Sequence, residues 1–244
     1  MIKTLRKNTK IFLWFAASVF ILATFMGLGG YFFTRTPDAV AVINGKKISY
    51  ENFNNVYYER LNSYRNMYNA EINEQMAAGL KKMVLEDMIR RELMLQEAKK
   101  EKIKVSNAEL SAYIQQFPYF QKNGSFNQQQ YLAVLKMQLH MTPAVFENEV
   151  RQSLIMSALR DKVTANLKVT EQEVAAELEK RSKDKKSKAG AADLEKDKEV
   201  VRETLLNEKK TRAFEAWFNL LLSKSKVQNN LDAVEKQMAG KGQE

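Results

Sequence analysis

Between Ile11 and Phe33 the chain reads IFLWFAASVFILATFMGLGGYFF, 23 residues without a charge. As a helix this run is about 35 Å long at ~1.5 Å per residue, enough for the ~30 Å hydrocarbon layer of a bilayer. Lys3, Arg6, Lys7 and Lys10 precede it with no acid among them. The positive-inside rule then predicts a cytoplasmic N-terminus and export of everything after Arg35. A cleaved signal peptide is the rival reading, with Gly27 and Gly29 as small residues near a cleavage point. The bulky Tyr31-Phe32-Phe33 beyond that point, and the length of the run, favour a retained anchor. Residues 1–34 are thus expected to be a cytoplasmic tip and a single transmembrane helix.

Topology decides what the charge means. The chain has 244 residues, 39 Lys+Arg against 29 Asp+Glu, and a formal net charge of +10. Four of these positives sit ahead of the apolar run, leaving about +6 for the remainder. On an exported domain this balance favours a nearby anionic lipid surface and argues against nucleic acid. Cysteine is absent, so disulfides, thiol nucleophiles and Cys-based zinc sites are excluded. The single histidine, His140, would have to carry any histidine-based triad, and it stands just before a helix cap. Glu147 and Glu149 fall on different helix faces, which gives paired-carboxylate catalysis no support. Glu171, Glu173 and Glu177 are accounted for by a helix start. No glycine-rich phosphate loop, HExxH or EF-hand pattern occurs. No catalytic residue, metal site or cofactor is expected.

The exported part reads as helices after one very short hairpin. Asn44-Gly45 between Ala-Val-Ile and Lys-Lys-Ile suits a type I′ turn. Ser49 caps a helix from Tyr50 to about Ala70, bearing Phe53, Val56, Tyr57, Leu61, Tyr64 and Tyr68. A second helix spans about Asn73 to Lys102, with rows Leu80-Val84-Met88 and Leu85-Ile89-Leu93. Its lysine and arginine face reads as solvated. Ser106-Asn-Ala-Glu109, Asn127-Gln-Gln-Gln130 and Thr170-Glu-Gln-Glu173 have the spacing of capping boxes. Pro118 ends one helix, and Thr142-Pro143 starts another that runs to about Val163. Ser182 to Lys198 loses large apolar residues and reads as a linker or frayed helix. Val200 to about Lys226 is a long amphipathic helix with Phe214, Trp217 and Phe218, which must find a partner surface. Residues 228–244 read as a flexible tail.

The stretch FQKNGSFNQQQY, Phe120 to Tyr131, gathers aromatics around an Asn-Gly turn. Together with AVAVINGKKISYENF, VLEDMIRRELMLQEAKKEKIKVSNAEL and MTPAVFENEVRQSLIMSAL, it resembles the N-terminal chaperone domain of the SurA/PpiD group. The closest short match is Phe120, Asn123, Gly124, Phe126, Asn127 and Tyr131. The resemblance covers roughly Ala39 to Glu179 and resumes at Val200 to Val227, and the anchored N-terminus is similar to the PpiD-like form. It implies a mainly α chain: a transmembrane helix, a SurA-N-like domain over 35–181, and a closing helix over 199–227 packed back on it. In the family, parvulin isomerase domains usually lie between those parts. Here only residues 182–198 occupy that place, so prolyl isomerisation is not expected.

The implied function is an ATP-independent periplasmic holdase at the bacterial inner membrane, taking unfolded or newly exported polypeptides. The protein translocon is a further expected partner. Tyr119, Phe120, Phe126 and Tyr131 are candidates to line an apolar groove, although ordinary core packing accounts for such aromatics equally well. Met83, Met88, Met137 and Met141 join them because methionine adapts its shape to varied partners. The alternative is a structural subunit whose long C-terminal helix docks a membrane complex.

Overall fold

The computed structural model describes residues 39–68, 72–184 and 191–241. The run Ile11–Phe33 lies outside them. Among the described residues, no helix is long and apolar enough to cross a membrane. Strands β1 (Ala39–Ile43) and β2 (Lys46–Ser49) lead into helices α1 (Tyr50–Tyr68) and α2 (Glu74–Lys100). Next come α3 (Asn107–Gln115), a 3-10 turn at Pro118–Phe120, and a small hairpin of β3 (Gln121–Lys122) and β4 (Ser125–Phe126). Helix α4 (Gln128–Val134) runs into a π-helical turn, Leu135–Leu139. The chain closes with α5 (Pro143–Thr164), α6 (Glu171–Asp184), α7 (Ala191–Lys224), β5 (Val227–Asn229) and α8 (Leu231–Lys241). It is mainly helical, as expected, and divides into two compact units. One holds residues up to Leu85 and from Gln228 onward; the other holds Glu86–Val227.

In the first unit Asn44 (φ 49°) and Gly45 (φ 88°) form the hairpin turn, with Ile43 opposite Lys46. Two consecutive positive φ angles are what a type I′ turn needs. Strand β1 lies in the middle of a three-stranded sheet, between β2 and β5. Ala39, Val40, Ala41 and Ile43 are all buried. The Ser49 hydroxyl caps α1 by accepting from the Asn52 amide, and Asn73 caps α2 by accepting from Met76. Phe53, Tyr57 and Leu61, spaced four apart, bury one stripe of α1. Val84 and Leu85 of α2 are buried too.

The last residues correct the sequence reading. Residues 228–244 were expected to form a flexible tail, but β5 and α8 complete this unit. The Asn230 amide donates to the Val40 carbonyl at 2.8 Å, and the Asn229 side chain accepts from the Leu231 amide. Leu231 and Val234 are buried, and Lys81 meets Glu235 at 2.6 Å. Glu235 raises the Lys81 pKa. Two apolar residues among charges are too sparse a pattern to reveal a helix that only tertiary contacts hold.

In the second unit Leu93, Met94 and Ala98 of α2 are buried, as are Leu159 and Thr164 of α5. The Thr164 hydroxyl is satisfied by the Arg160 carbonyl. Ser106–Glu109 and Thr170–Glu173 are both reciprocal capping boxes, each glutamate reaching back to its cap's amide. Helix α7 packs on α5 and α6, burying Val201, Phe214 and Phe218. Arg90 grips it twice: its guanidinium takes both oxygens of Glu215 at 3.1–3.2 Å and lies 4.1 Å from the Phe218 ring centre. Arg202 pairs with Glu171 and Glu199. Lys209 pairs with Glu173 at 2.6 Å. In the Ser182–Lys198 stretch, α6 continues to Asp184 and α7 begins at Ala191. Residues 185–190 lie outside the described residues.

Two tests follow from this packing. Leu231→Ala should cost about 2–4 kcal/mol and lower the urea midpoint, whereas a flexible tail would leave it unchanged. The Glu173 carboxyl is held at about 2, well below the ordinary 4.5, chiefly by Lys209 and then by the Thr170 amide. A lowered folded value means that its contribution is complete above the unfolded value and lost as pH falls toward 2. Attachment of α7 to α6 should therefore weaken between pH 4.5 and 2. Trp217 fluorescence should follow this, and Glu173→Gln should flatten that part of the curve.

Candidate functional site

The aromatic turn belongs to the second unit and is built around one ring. Phe120 is buried, with edge-on partners Phe117 at 5.8 Å, Tyr131 at 5.0 Å and Phe146 at 5.5 Å between ring centres. Edge-to-face geometry sets positive ring edges against negative faces. Pro118 opens the 3-10 turn that swings Phe120 inward. Asn123 (φ 55°) and Gly124 (φ 78°) reverse the chain, and the Asn127 amide closes the loop on the Phe120 carbonyl at 2.8 Å. Asn127 caps α4, but Gln130 does not complete a box. Its amide instead donates to the Tyr119 carbonyl at 2.8 Å. Phe146, on α5, was not among the sequence candidates. Its position after the Thr142-Pro143 helix start gave no sign that it would meet the turn.

This arrangement corrects part of the expected groove. Phe120 is core, since a ring enclosed by three others offers no surface. Tyr131 is nearly as buried, but with Phe126 it lines a concavity of about 340 Å³. Leu110 and Ile114 also line it, and Asn107, Ser111, Gln115, Glu147 and Arg151 add polar groups. The Tyr131 hydroxyl donates to Glu147 at 3.2 Å. Burial first, and the Glu147 carboxylate second, push its pKa up to about 12. Arg151 is committed to the Val105 carbonyl and the Asn107 side chain. This concavity is thus walled by groups already bonded to one another. Tyr119 points outward and is 75% exposed. Met137 is exposed on the π turn, while Met88 and Met141 are half-buried.

A different concavity lies in the first unit, between the end of α1 and the start of α2. It has a volume of about 510 Å³ and is lined by Arg60, Ser63, Tyr64 and Met67 from α1, Ile72, and Met76, Gly79, Leu80 and Met83 from α2. On each helix these positions repeat at three, four and seven, so each presents one edge. Of the sequence candidates only Met83 lies here. Met67 is 74% exposed and Met83 55%. The signal that could have found the trough is the continuation of both apolar stripes, toward Tyr64 on α1 and Met76 on α2, past the residues that the core consumes. No group of histidine, aspartate or glutamate that could hold a metal ion occurs among the described residues.

A family model described as the SurA-like N-terminal domain matches residues 1–160. The chain belongs to this family. The match carries the chaperone assignment and contains the lining residues of both concavities, whereas α6, α7 and α8 lie beyond it. No curated protein matches the sequence. A solved structure from work on PEB4 and Cj1289, two SurA-like chaperones of Campylobacter jejuni, is 13% identical with a TM-score of 0.53. The superposition covers 79% of this chain and 98% of that one. At this identity the likeness is one of fold. Within this SurA-like domain the aromatic turn is a structural joint. Phe120→Ala should therefore cost about 3–5 kcal/mol, while Tyr119→Ala should stay within about 0.5 kcal/mol, both read from urea unfolding. Equal effects would contradict the separation of core from surface.

Proposed function

We propose that this SurA-like chaperone is a PpiD-like, membrane-anchored holdase. It works on the exported side of a bacterial inner membrane and captures apolar segments of unfolded polypeptides in the trough between α1 and α2. The observation that carries this reading is the trough itself, whose exposed Met67 and Met83 have no packing role to explain them. Methionine fits segments of different shape, and burial of a client's apolar surface supplies ~25 cal/mol per Å² before ordering costs. Binding is broad and weak rather than selective. It uses no nucleotide, in keeping with a sequence that carries no phosphate loop. The charge-free Ile11–Phe33 run and the basic residues before it support the anchor. Such an anchor holds the trough near the membrane, where chains emerge from the translocon.

The test uses the full chain in phospholipid nanodiscs. It should suppress aggregation of an unfolded outer-membrane β-barrel protein diluted from urea, at modest molar excess. The double variant Met67→Glu/Met83→Glu should keep its helical circular dichroism and lose most of that suppression. Absence of suppression by the natural chain at any ratio defeats the reading. Crosslinking from position 67 should give a smear of clients; one or two discrete bands would instead identify a fixed partner.

A further inference from the structure

Gly79 has no structural reason to be glycine. It lies inside α2, and among the described glycines only Gly45 and Gly124 take a positive φ. A Cβ built on it would meet nothing within 4 Å. It is exposed. In a helix interior glycine is less favourable than alanine, through lost backbone entropy. Neither conformation nor packing returns that loss. Gly79 does line the trough, with Met76 before it and Met83 after it on the same helix.

We propose that Gly79 is the specificity-determining residue of the trough: its missing side chain lets a bulky apolar side chain, carried on an acid-flanked unfolded segment, reach the backbone of α2 between Met76 and Met83. The inference rests on the trough being the client site. A volume of about 510 Å³ exceeds what one side chain fills and lies within the ~300–1,000 Å³ usual for ligand sites. The charge of the occupant follows from the lining, which includes the cation Arg60 and no carboxylate. A segment with acidic neighbours is therefore accepted over one with basic neighbours. A side chain at position 79 would stand where the occupant's must go.

The experiment measures binding to the full chain in nanodiscs by fluorescence anisotropy. Two labelled unfolded peptides share a Leu-Leu-Ile centre, one flanked by aspartates and the other by lysines. The natural chain should bind the aspartate-flanked peptide at least threefold more tightly. Gly79→Ala should raise Tm by about 2–4 °C while weakening binding about threefold, and Gly79→Leu should weaken it about tenfold with helical content unchanged. A fall in Tm for Gly79→Ala would show that the glycine serves the fold and would overturn the inference. So would unchanged affinity in Gly79→Leu when Met83→Glu still weakens binding; the trough would then remain the client site. Unchanged affinity in both variants would remove the trough reading and this inference with it. Equal binding of the two peptides would overturn the acidic-flank part of the proposal.

Discussion

The fold of the first unit depends on the central strand of a very small sheet. Ala39, Val40, Ala41 and Ile43 are buried because β1 has a neighbouring strand on either side. One neighbour, β2, is local and arrives through a two-residue turn. The other, β5, comes from the far end of the chain, where the Asn230 amide also closes on the Val40 carbonyl. An unpaired buried carbonyl would cost about as much as a lost hydrogen bond. The first unit is therefore incomplete until the last residues are in place, and Glu86–Val227 is an insertion within it in sequence terms. Closure of so long a connection costs only logarithmically more than closure of a short one. It is nonetheless a non-local contact, which links completion of the first unit to the slower events of folding.

The net positive charge has a structural use that composition could not locate. Arg90, Arg202 and Lys209 reach α7 contacts or acids on α6, Lys81 holds α8, and Arg160 lies beside the Phe214 ring. Partly exposed ion pairs contribute little each. The Arg90 site is different in kind, because one guanidinium combines a bidentate carboxylate contact with ring stacking and so fixes orientation as well as distance. Such contacts give α7 a defined register on the second unit. Its amphipathic pattern alone required only that some surface cover it.

What was legible in the sequence is what local chemistry determines. The Asn44-Gly45 turn and the Ser106, Thr142 and Thr170 helix starts stand where the spacing put them, since each cap involves residues three apart. Tertiary choices were not legible. Asn127-Gln130 has the spacing of a capping box, yet Gln130 takes the Tyr119 carbonyl because the turn brings that acceptor closer. The helix expected to reach Leu139 opens into a π turn that ends at His140 in a left-handed conformation (φ 51°). Among five clustered aromatics, spacing could not tell which ring would sit at the centre; Phe120 does so because Phe146 arrives from another helix. Helix α8 escaped notice because its two buried anchors, Leu231 and Val234, mean little without the strand they cover.

The same limit explains why the trough was only glimpsed through Met83. An apolar stripe does not announce where burial stops. On α2 the row Leu80–Val84 passes from the trough into the core within one turn: Leu80 lines the concavity and Val84 is fully enclosed. Methionine and glycine occupy the uncovered stretch, whereas β-branched and leucine side chains occupy the covered one. That change of residue type, rather than any change in hydrophobicity, marks the boundary. Stiff side chains specify one packing partner, while flexible or absent ones leave the partner unspecified. A chaperone surface needs the second property, and it must lie outside the core, because a core built of adaptable side chains would not hold a single structure. The first turns of α2 and the last of α1 meet both conditions.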